Sequence, residues 1–151
     1  MEAVFGAPLS LAGHERAAVK AAIDMRTRLE ALNKTLQAQG YQGLKHGIGI
    51  HTGQVLAANI GARERIAYSL IGDTVNTASR IQDMNKKFKT DILVSKDIVQ
   101  NAGRGVEFVQ MPGVRLKGKT KKVTLFSVIK ASTKTSALSA LAPNPFCSFQ
   151  A

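Results

Sequence analysis

The spacing of apolar residues along the chain changes between a helical and a strand-like period. Between residues 10 and 39 apolar positions recur at steps of three and four, which predicts a long amphipathic helix ending before Gly40. A second helix is predicted over 74–87, with Asp73 as its N-cap. A short third helix is predicted over 96–102.

The remaining apolar segments are short and rich in β-branched residues, which is typical of strands. Strands are predicted at 44–52, 54–60, 66–71, 91–94, 106–110, 114–116 and 123–129, and residues 2–5 resemble the tail of another strand. In the first of these, Gly47 and Gly49 occupy one face, and a face of glycines permits close approach of another backbone. Strands interleaved with helices predict an α/β (α+β) domain with helices covering a sheet.

Composition limits the number of domains and the classes of partner. A chain of 151 residues with 44% hydrophobic residues supports one core, and we predict one domain over 1–130. Residues 131–151 turn to Ser, Ala, Thr and Pro, which predicts a disordered tail. No apolar run spans a bilayer, the N-terminus lacks signal-peptide features and Cys147 stands alone, so we expect a cytoplasmic location with no membrane segment in this chain.

The net charge of +11 includes five basic residues between positions 115 and 122. A lysine-rich strand edge explains such a run, because charge protects an edge from unwanted pairing. A nucleic-acid-binding module is the alternative, but it usually adds exposed aromatic residues or a known motif, and this run has neither. We therefore predict no nucleic-acid partner.

Two local patterns suggest sites that their context does not support. Residues 113–120 match the G-x-x-x-x-G-K-[ST] phosphate loop, but the sequence that follows has a strand pattern instead of the required helix. His46 and His51 are separated by an odd number of residues along a predicted strand, so they point to opposite faces and do not form a metal-ligand pair.

The segment Tyr68-Ser-Leu-Ile-Gly-Asp-Thr-Val-Asn-Thr-Ala-Ser-Arg80 carries more chemical information. Asn76 and Arg80 are one helical turn apart near the start of a predicted helix, where an amide and a guanidinium together suit a phosphate or ribose oxygen. Spacing alone nevertheless favours a simpler arrangement, an ordinary surface ion pair between Arg80 and Asp83.

The segments IGIHTG, NIG, YSLIGDTVNTASR, DILVS and VRLKGK, in this order and spacing, closely resemble the C-terminal half of class III nucleotidyl cyclase domains. The opening MEAVFGAP is similar to the segment that follows the family's second metal-binding aspartate. The resemblance implies a ferredoxin-like domain that works as a homodimer or with an intact cyclase subunit. It also implies conversion of ATP or GTP to the 3′,5′-cyclic nucleotide and pyrophosphate in cyclic-nucleotide signalling.

Matched singly, four residues take roles from this resemblance. Asn76 corresponds to the asparagine that orients the ribose, and Arg80 to the arginine that stabilises charge on the transferring phosphate. Lys117 corresponds to the lysine that contacts the triphosphate. Ser69 occupies the purine-selecting position, where one large bacterial subgroup of adenylate cyclases carries a small hydroxyl residue, so the resemblance implies ATP in preference to GTP.

The resemblance also implies what this chain lacks. In the family two aspartates that hold Mg²⁺ or Mn²⁺, and a lysine that reads the purine, lie upstream of the position matched by Met1. We therefore expect no metal ligands here, a ferredoxin-like sheet without its first strands, and a chain that alone is inactive and poorly soluble. It could still lend Asn76 and Arg80 to an intact partner; the alternative is a non-catalytic pseudocyclase or dimerisation subunit.

Overall fold

The computed structural model describes residues 1–62, 65–118 and 122–131, and for 57–62, 65–69, 130 and 131 it describes the backbone alone. The elements are, in chain order, α1 (His14–Ala38), β1 (Ile48–Ile50), β2 (Leu56–Ala62), β3 (Arg65–Ile71), α2 (Asp73–Phe88), β4 (Ile92–Ser95), α3 (Lys96–Asn101), β5 (Val106–Gln110) and β6 (Leu125–Ala131). The predicted mixture of strands and helices is confirmed.

The strands form two separate sheets. Four of them build a mixed sheet in the order β1-β4-β6-β5, in which β1 and β4 are parallel and the other pairs are antiparallel. Within the described part of the chain, β2 and β3 pair only with each other, as an antiparallel hairpin in the register Leu56↔Ile71. Since β3 ends at Ile71 and α2 begins at Asp73, the hairpin leads directly into the second helix.

Helices cover both faces of the four-stranded sheet. Because side chains alternate along a strand, Ile92 and Val94 of β4 face one side and Leu93 the other. Ile92 and Val94 pack in a core with Val19 of α1 and Ile98 of α3. Residues on the opposite face pack in a second core, built around α2 and the segment before β6, whose buried members are Ile81, Leu93, Val114, Leu116 and Leu125.

Several predicted boundaries differ from the observed ones for physical reasons. Residues 2–5 are not in a strand, because within the described residues they pair with no other strand. The predicted strand at 114–116 reduces to one bridge between Val114 and Val123. The N-cap of α2 is Gly72, whose backbone is extended, and Asp73 is instead the first helical residue. There its carboxylate lies near the positive end of the helix dipole.

Ala131 ends β6, and the rest of the predicted tail, 132–151, lies outside the described residues. Among the helices that the structure describes, none combines the length and the apolar character that crossing a bilayer requires.

Candidate functional site

Asn76 and Arg80 lie one turn apart near the N-terminus of α2, as the sequence predicts. Asn76 is exposed, and its backbone N–H donates to the Gly72 carbonyl oxygen at 3.4 Å within the first turn. Arg80 is half-buried. The same helix turns Thr77 and Ile81 toward the sheet, so the two polar side chains are held on the outer part of a helix whose other side is packed.

Contacts at three levels fix α2 against β1 and the loop that follows it. Near its C-terminus, the buried Asn85 donates from Nδ2 to the Ile48 carbonyl oxygen at 3.0 Å. At its centre, Gly49 lies directly against the helix backbone, where a Cβ would come within 2.8 Å of the Gln82 Cα. Near its N-terminus, Thr74 donates from Oγ1 to the Gln54 carbonyl oxygen at 2.8 Å. The glycine face predicted for β1 is thus the surface on which α2 rests.

The segment before β6 is brought to the same helix by one buried side chain. Val114 and Val123 exchange backbone hydrogen bonds, with N···O distances of 3.3 and 2.8 Å. Leu116 is only 1% exposed and shares a hydrophobic cluster with Ile81, the neighbour of Arg80 in the sequence. Packing of Leu116 therefore holds the following residue pair, Lys117-Gly118, beside α2.

The guanidinium of Arg80 lies against Gly118. A Cβ built on Gly118 would lie 3.3 Å from Arg80 Nη1 and 3.4 Å from Nη2, and the Gly118 backbone has φ +73°. Lys117, the preceding residue, is exposed. Lys117 therefore belongs to the segment that lies beside Arg80, although 37 positions separate the two residues in the sequence (117 minus 80).

The ion pair that spacing favoured for Arg80 is not formed. Within the described residues the ion pairs are His14–Glu15 and Arg26–Asp91, and Arg80 pairs with neither Asp83 nor any other carboxylate there. Contact with Gly118 replaces the local i,i+3 pair. Among the residues that the structure describes, no carboxylate therefore pairs with this half-buried guanidinium, a group whose hydrogen-bond donors suit an anionic ligand.

Ser69 lies in β3, and its backbone pairs with Ala58 of β2. Its side chain is outside what the structure describes, so its role in purine selection remains a prediction from the sequence. The backbone places it three residues before Gly72, on the strand that leads into the helix bearing Asn76.

Two polar groups between α2 and the sheet were not selected from the sequence. The Ser95 hydroxyl, at the end of β4, lies 2.9 Å from His51 Nδ1, at the end of β1. Thr77 is 3% exposed, and its hydroxyl has no hydrogen-bond partner among the described residues. The sequence could have indicated the position of His51. Residues two apart along a strand lie on the same face, so His51 shares the face of Gly49, which α2 covers.

The family's divalent metals do not fit the described residues, because these contain no group of three or more His, Cys, Asp or Glu side chains that could hold a metal ion. The phosphate-loop pattern at 113–120 also has the wrong context. Its described part carries the bridge to Val123 and leads toward β6, and no helix lies between residue 122 and that strand.

Comparisons with known proteins identify the family of the domain. Residues 3–130 match the model of the adenylate and guanylate cyclase catalytic domain. The chain is 34% identical over 127 residues to adenylate cyclase 1 of Rhizobium meliloti, covering 84% of this chain and 19% of the relative. It is 34% identical over 123 residues to an adenylate cyclase of Anabaena cylindrica, covering 77% of this chain and 24% of that protein. The chain thus spans about a fifth to a quarter of these relatives' length.

Solved structures give the same assignment. The fold is similar to that of the guanylyl cyclase Cya2, with a TM-score of 0.75 at 31% identity, over 86% of this chain and 65% of that one. It is also similar to the adenylyl cyclase CyaB from P. aeruginosa, with a TM-score of 0.76 at 27% identity, over 87% of this chain and 68% of that one. The chain therefore belongs to the adenylate and guanylate cyclase catalytic domain family.

Proposed function

We propose that this domain supplies the ribose- and phosphate-binding half of an adenylate cyclase active site. In the reaction the ATP 3′-oxygen forms a bond to the α-phosphorus and its proton passes to solvent. The bond from the α-phosphorus to the bridging oxygen breaks, and pyrophosphate leaves with that bond's electron pair. The products are pyrophosphate and 3′,5′-cyclic AMP, and the cyclic AMP serves as the signalling nucleotide.

The observation that carries this proposal is the convergence of Arg80, Gly118 and Lys117. The guanidinium lies against the Gly118 backbone, next to an exposed lysine and one helical turn from Asn76. Negative charge on a transferring phosphate is stabilised best by donors that are already in place before the reaction. Arg80 fits that role, Lys117 fits the remaining phosphates, and the exposed Asn76 amide fits the ribose.

We propose that the other half of the site, with the Mg²⁺ or Mn²⁺ ions that the family generally uses, comes from a partner; among the described residues no carboxylate cluster could hold these ions. Cyclase domains act as dimers, and a partner subunit with an intact metal site would complete the arrangement. The 151-residue chain alone is then expected to make no cyclic AMP, even when Mg²⁺ or Mn²⁺ is supplied.

ATP is the proposed substrate, with GTP the less favoured one, because a small hydroxyl residue, Ser69, occupies the purine-selecting position. The similar proteins include both adenylyl and guanylyl cyclases, so selectivity has to be measured. Competition between ATP and GTP in one reaction mixture, with both cyclic products quantified, gives the ratio of kcat/KM values directly. A preference for GTP would contradict this part of the proposal.

The half-site proposal is tested by mixing this chain with a class III adenylate cyclase subunit that keeps its metal site but lacks its own equivalent asparagine and arginine. Restored cyclic AMP formation supports the proposal, and its absence contradicts it. The alternative, a non-catalytic pseudocyclase or dimerisation subunit, predicts that the chain binds this partner stably without any turnover.

A further inference from the structure

We propose that Gly118 is a positioning residue for Arg80: the absence of a side chain at position 118 leaves the space that the guanidinium occupies. The catalytic consequence rests on the function proposed above, whereas the positioning itself does not. The position of Gly118 beside the Arg80 guanidinium means that it would act through the arginine.

Three observations support this positioning of Arg80 by Gly118. A Cβ built on Gly118 would lie 3.3 and 3.4 Å from Arg80 Nη1 and Nη2, which is tighter than an ordinary van der Waals contact, so the guanidinium would have to shift to admit a side chain. The positive φ of +73° makes this position costly for most L-residues. The loop cannot easily retreat, because Leu116 is buried against the α2 core and Val114 is hydrogen-bonded to Val123.

The position of the guanidinium beside Gly118 also explains why Arg80 does not pair with Asp83 on its own helix. An arginine paired with a local carboxylate would have to break that pair before it could bind a phosphate. Held instead beside the Gly118 backbone, and paired with no carboxylate among the described residues, the guanidinium keeps its donors available. Preorganisation of this kind makes a transition-state donor effective.

The positioning is tested first without any cyclase assay, by modifying arginines of the native full chain with phenylglyoxal and mapping each site by mass spectrometry. Arg80 is half-buried, and its modification rate should rise about threefold or more in Gly118→Ala, because the added methyl group displaces the guanidinium. Arg26 reports on the fold, since its Nη1 donates to the Val128 carbonyl oxygen at 2.7 Å. Its rate should stay unchanged.

Matched glycine variants separate the possible causes. In Gly113→Ala the added Cβ would meet only Lys122 Cδ at 3.9 Å, so the segment changes without touching Arg80. In Gly13→Ala the backbone has nearly the same φ, +71°, with nothing within 4 Å, which isolates backbone strain. Neither variant should alter the Arg80 rate. If Gly118→Ala unfolds the chain, the modification rate of Arg26 rises as well. Gly118→Asn then tests the positioning, because asparagine tolerates a left-handed backbone but still carries a side chain.

The second readout is the steady-state kinetics of the restored mixture described above. Gly118→Ala should lower kcat about tenfold with KM for ATP nearly unchanged, because a displaced transition-state donor affects the chemical step. In the Arg80→Lys background the same substitution should add less than about twofold, since its effect passes through the arginine. An unchanged Arg80 modification rate in a folded Gly118 variant, or a full additional loss in the Arg80→Lys background, overturns the inference. If the mixture shows no activity with the wild-type chain, the proposed function fails, while the modification rates still decide the role of Gly118.

Discussion

Gly49 of β1 lies directly against Gln82 of α2, so close that a Cβ at position 49 would come within 2.8 Å of the Gln82 Cα. The contact lies between two backbones, and neither can yield as a flexible side chain could. It sets the distance of α2 from the sheet and therefore the position of Asn76 and Arg80, which lie on the same helix. A glycine remote from any ligand thus supports the geometry of the candidate site.

Substitution Gly49→Ala should accordingly destabilise the domain, by about 3 kcal/mol, because the methyl group can be accommodated only by moving the helix away from the strand. Urea unfolding followed by circular dichroism measures the change in the free energy of unfolding. Gly113→Ala serves as control, since its added Cβ would meet only Lys122 Cδ at 3.9 Å. Equal stability of the two variants would show that α2 does not depend on this contact.

A second stability prediction concerns Asn85, which is buried and joins three parts of the chain. It donates to the Ile48 and Gln82 carbonyl oxygens at 3.0 Å and accepts from the Thr90 hydroxyl at 3.0 Å. Asn85→Ala leaves these groups without their side-chain partner and should lower the free energy of unfolding by about 2 kcal/mol.

The matched control for Asn85 is Asn101→Ala. The Asn101 amide also donates to a backbone oxygen, that of Asp97 at 3.1 Å, but the residue is exposed. Water can replace that partner, so the loss should stay below about 0.5 kcal/mol. If both substitutions cost the same, burial of Asn85 is not what makes its hydrogen bonds matter.

Local patterns predicted most of this fold. The apolar period gave the long first helix within four residues of its observed start, and the glycine face at 47 and 49 marked where another backbone approaches. Both features depend on the spacing of residues that are close together in the sequence, and a single sequence shows that spacing directly. The Asp73 cap was wrong because the helix begins one residue earlier than a capping aspartate would require.

The relationship between Arg80 and Gly118 could not be predicted in the same way. Nearby carboxylates made a local pair with Asp83 the simplest expectation, whereas the observed contact depends on Leu116 packing beside Ile81. Such a contact is decided by how two distant segments share one core. The resemblance of VRLKGK to a family motif indicated a role for that segment, but it pointed to Lys117 instead of the glycine.

Arg80→Lys tests whether the guanidinium itself is needed in the restored mixture. Lysine keeps the charge but loses the planar fork of donors, so kcat should fall about 100-fold with a smaller effect on KM. The control is Arg104→Lys, the same chemical change at an exposed position next to α3, which packs on the opposite face of the sheet from α2. That variant should retain full activity. Comparable losses in both would argue for a general effect of arginine replacement.

Lys117→Ala should act mainly on binding. On the proposed function Lys117 contacts the triphosphate in both the ground state and the transition state, so its removal should raise KM for ATP about tenfold, with kcat changed less. Lys122→Ala removes an equal charge from the same basic run, at another exposed position. It should leave KM within about twofold of the wild-type value at physiological salt, where remote surface charges are screened. A KM that rises equally in both variants would indicate nonspecific attraction by the basic run.

We propose that this chain contributes Asn76 and Arg80 to a site whose metals are held by another subunit. It is tested most directly by the initial rate of cyclic AMP formation in a mixture with a metal-competent cyclase subunit lacking its own asparagine and arginine. The wild-type chain should raise the rate of that subunit at least about 100-fold, the contribution expected of a transition-state donor. The Asn76→Ala/Arg80→Ala double variant should bind the subunit equally well without raising the rate. Equal rates with the wild-type chain and the double variant, or no rise with either, would contradict the claim.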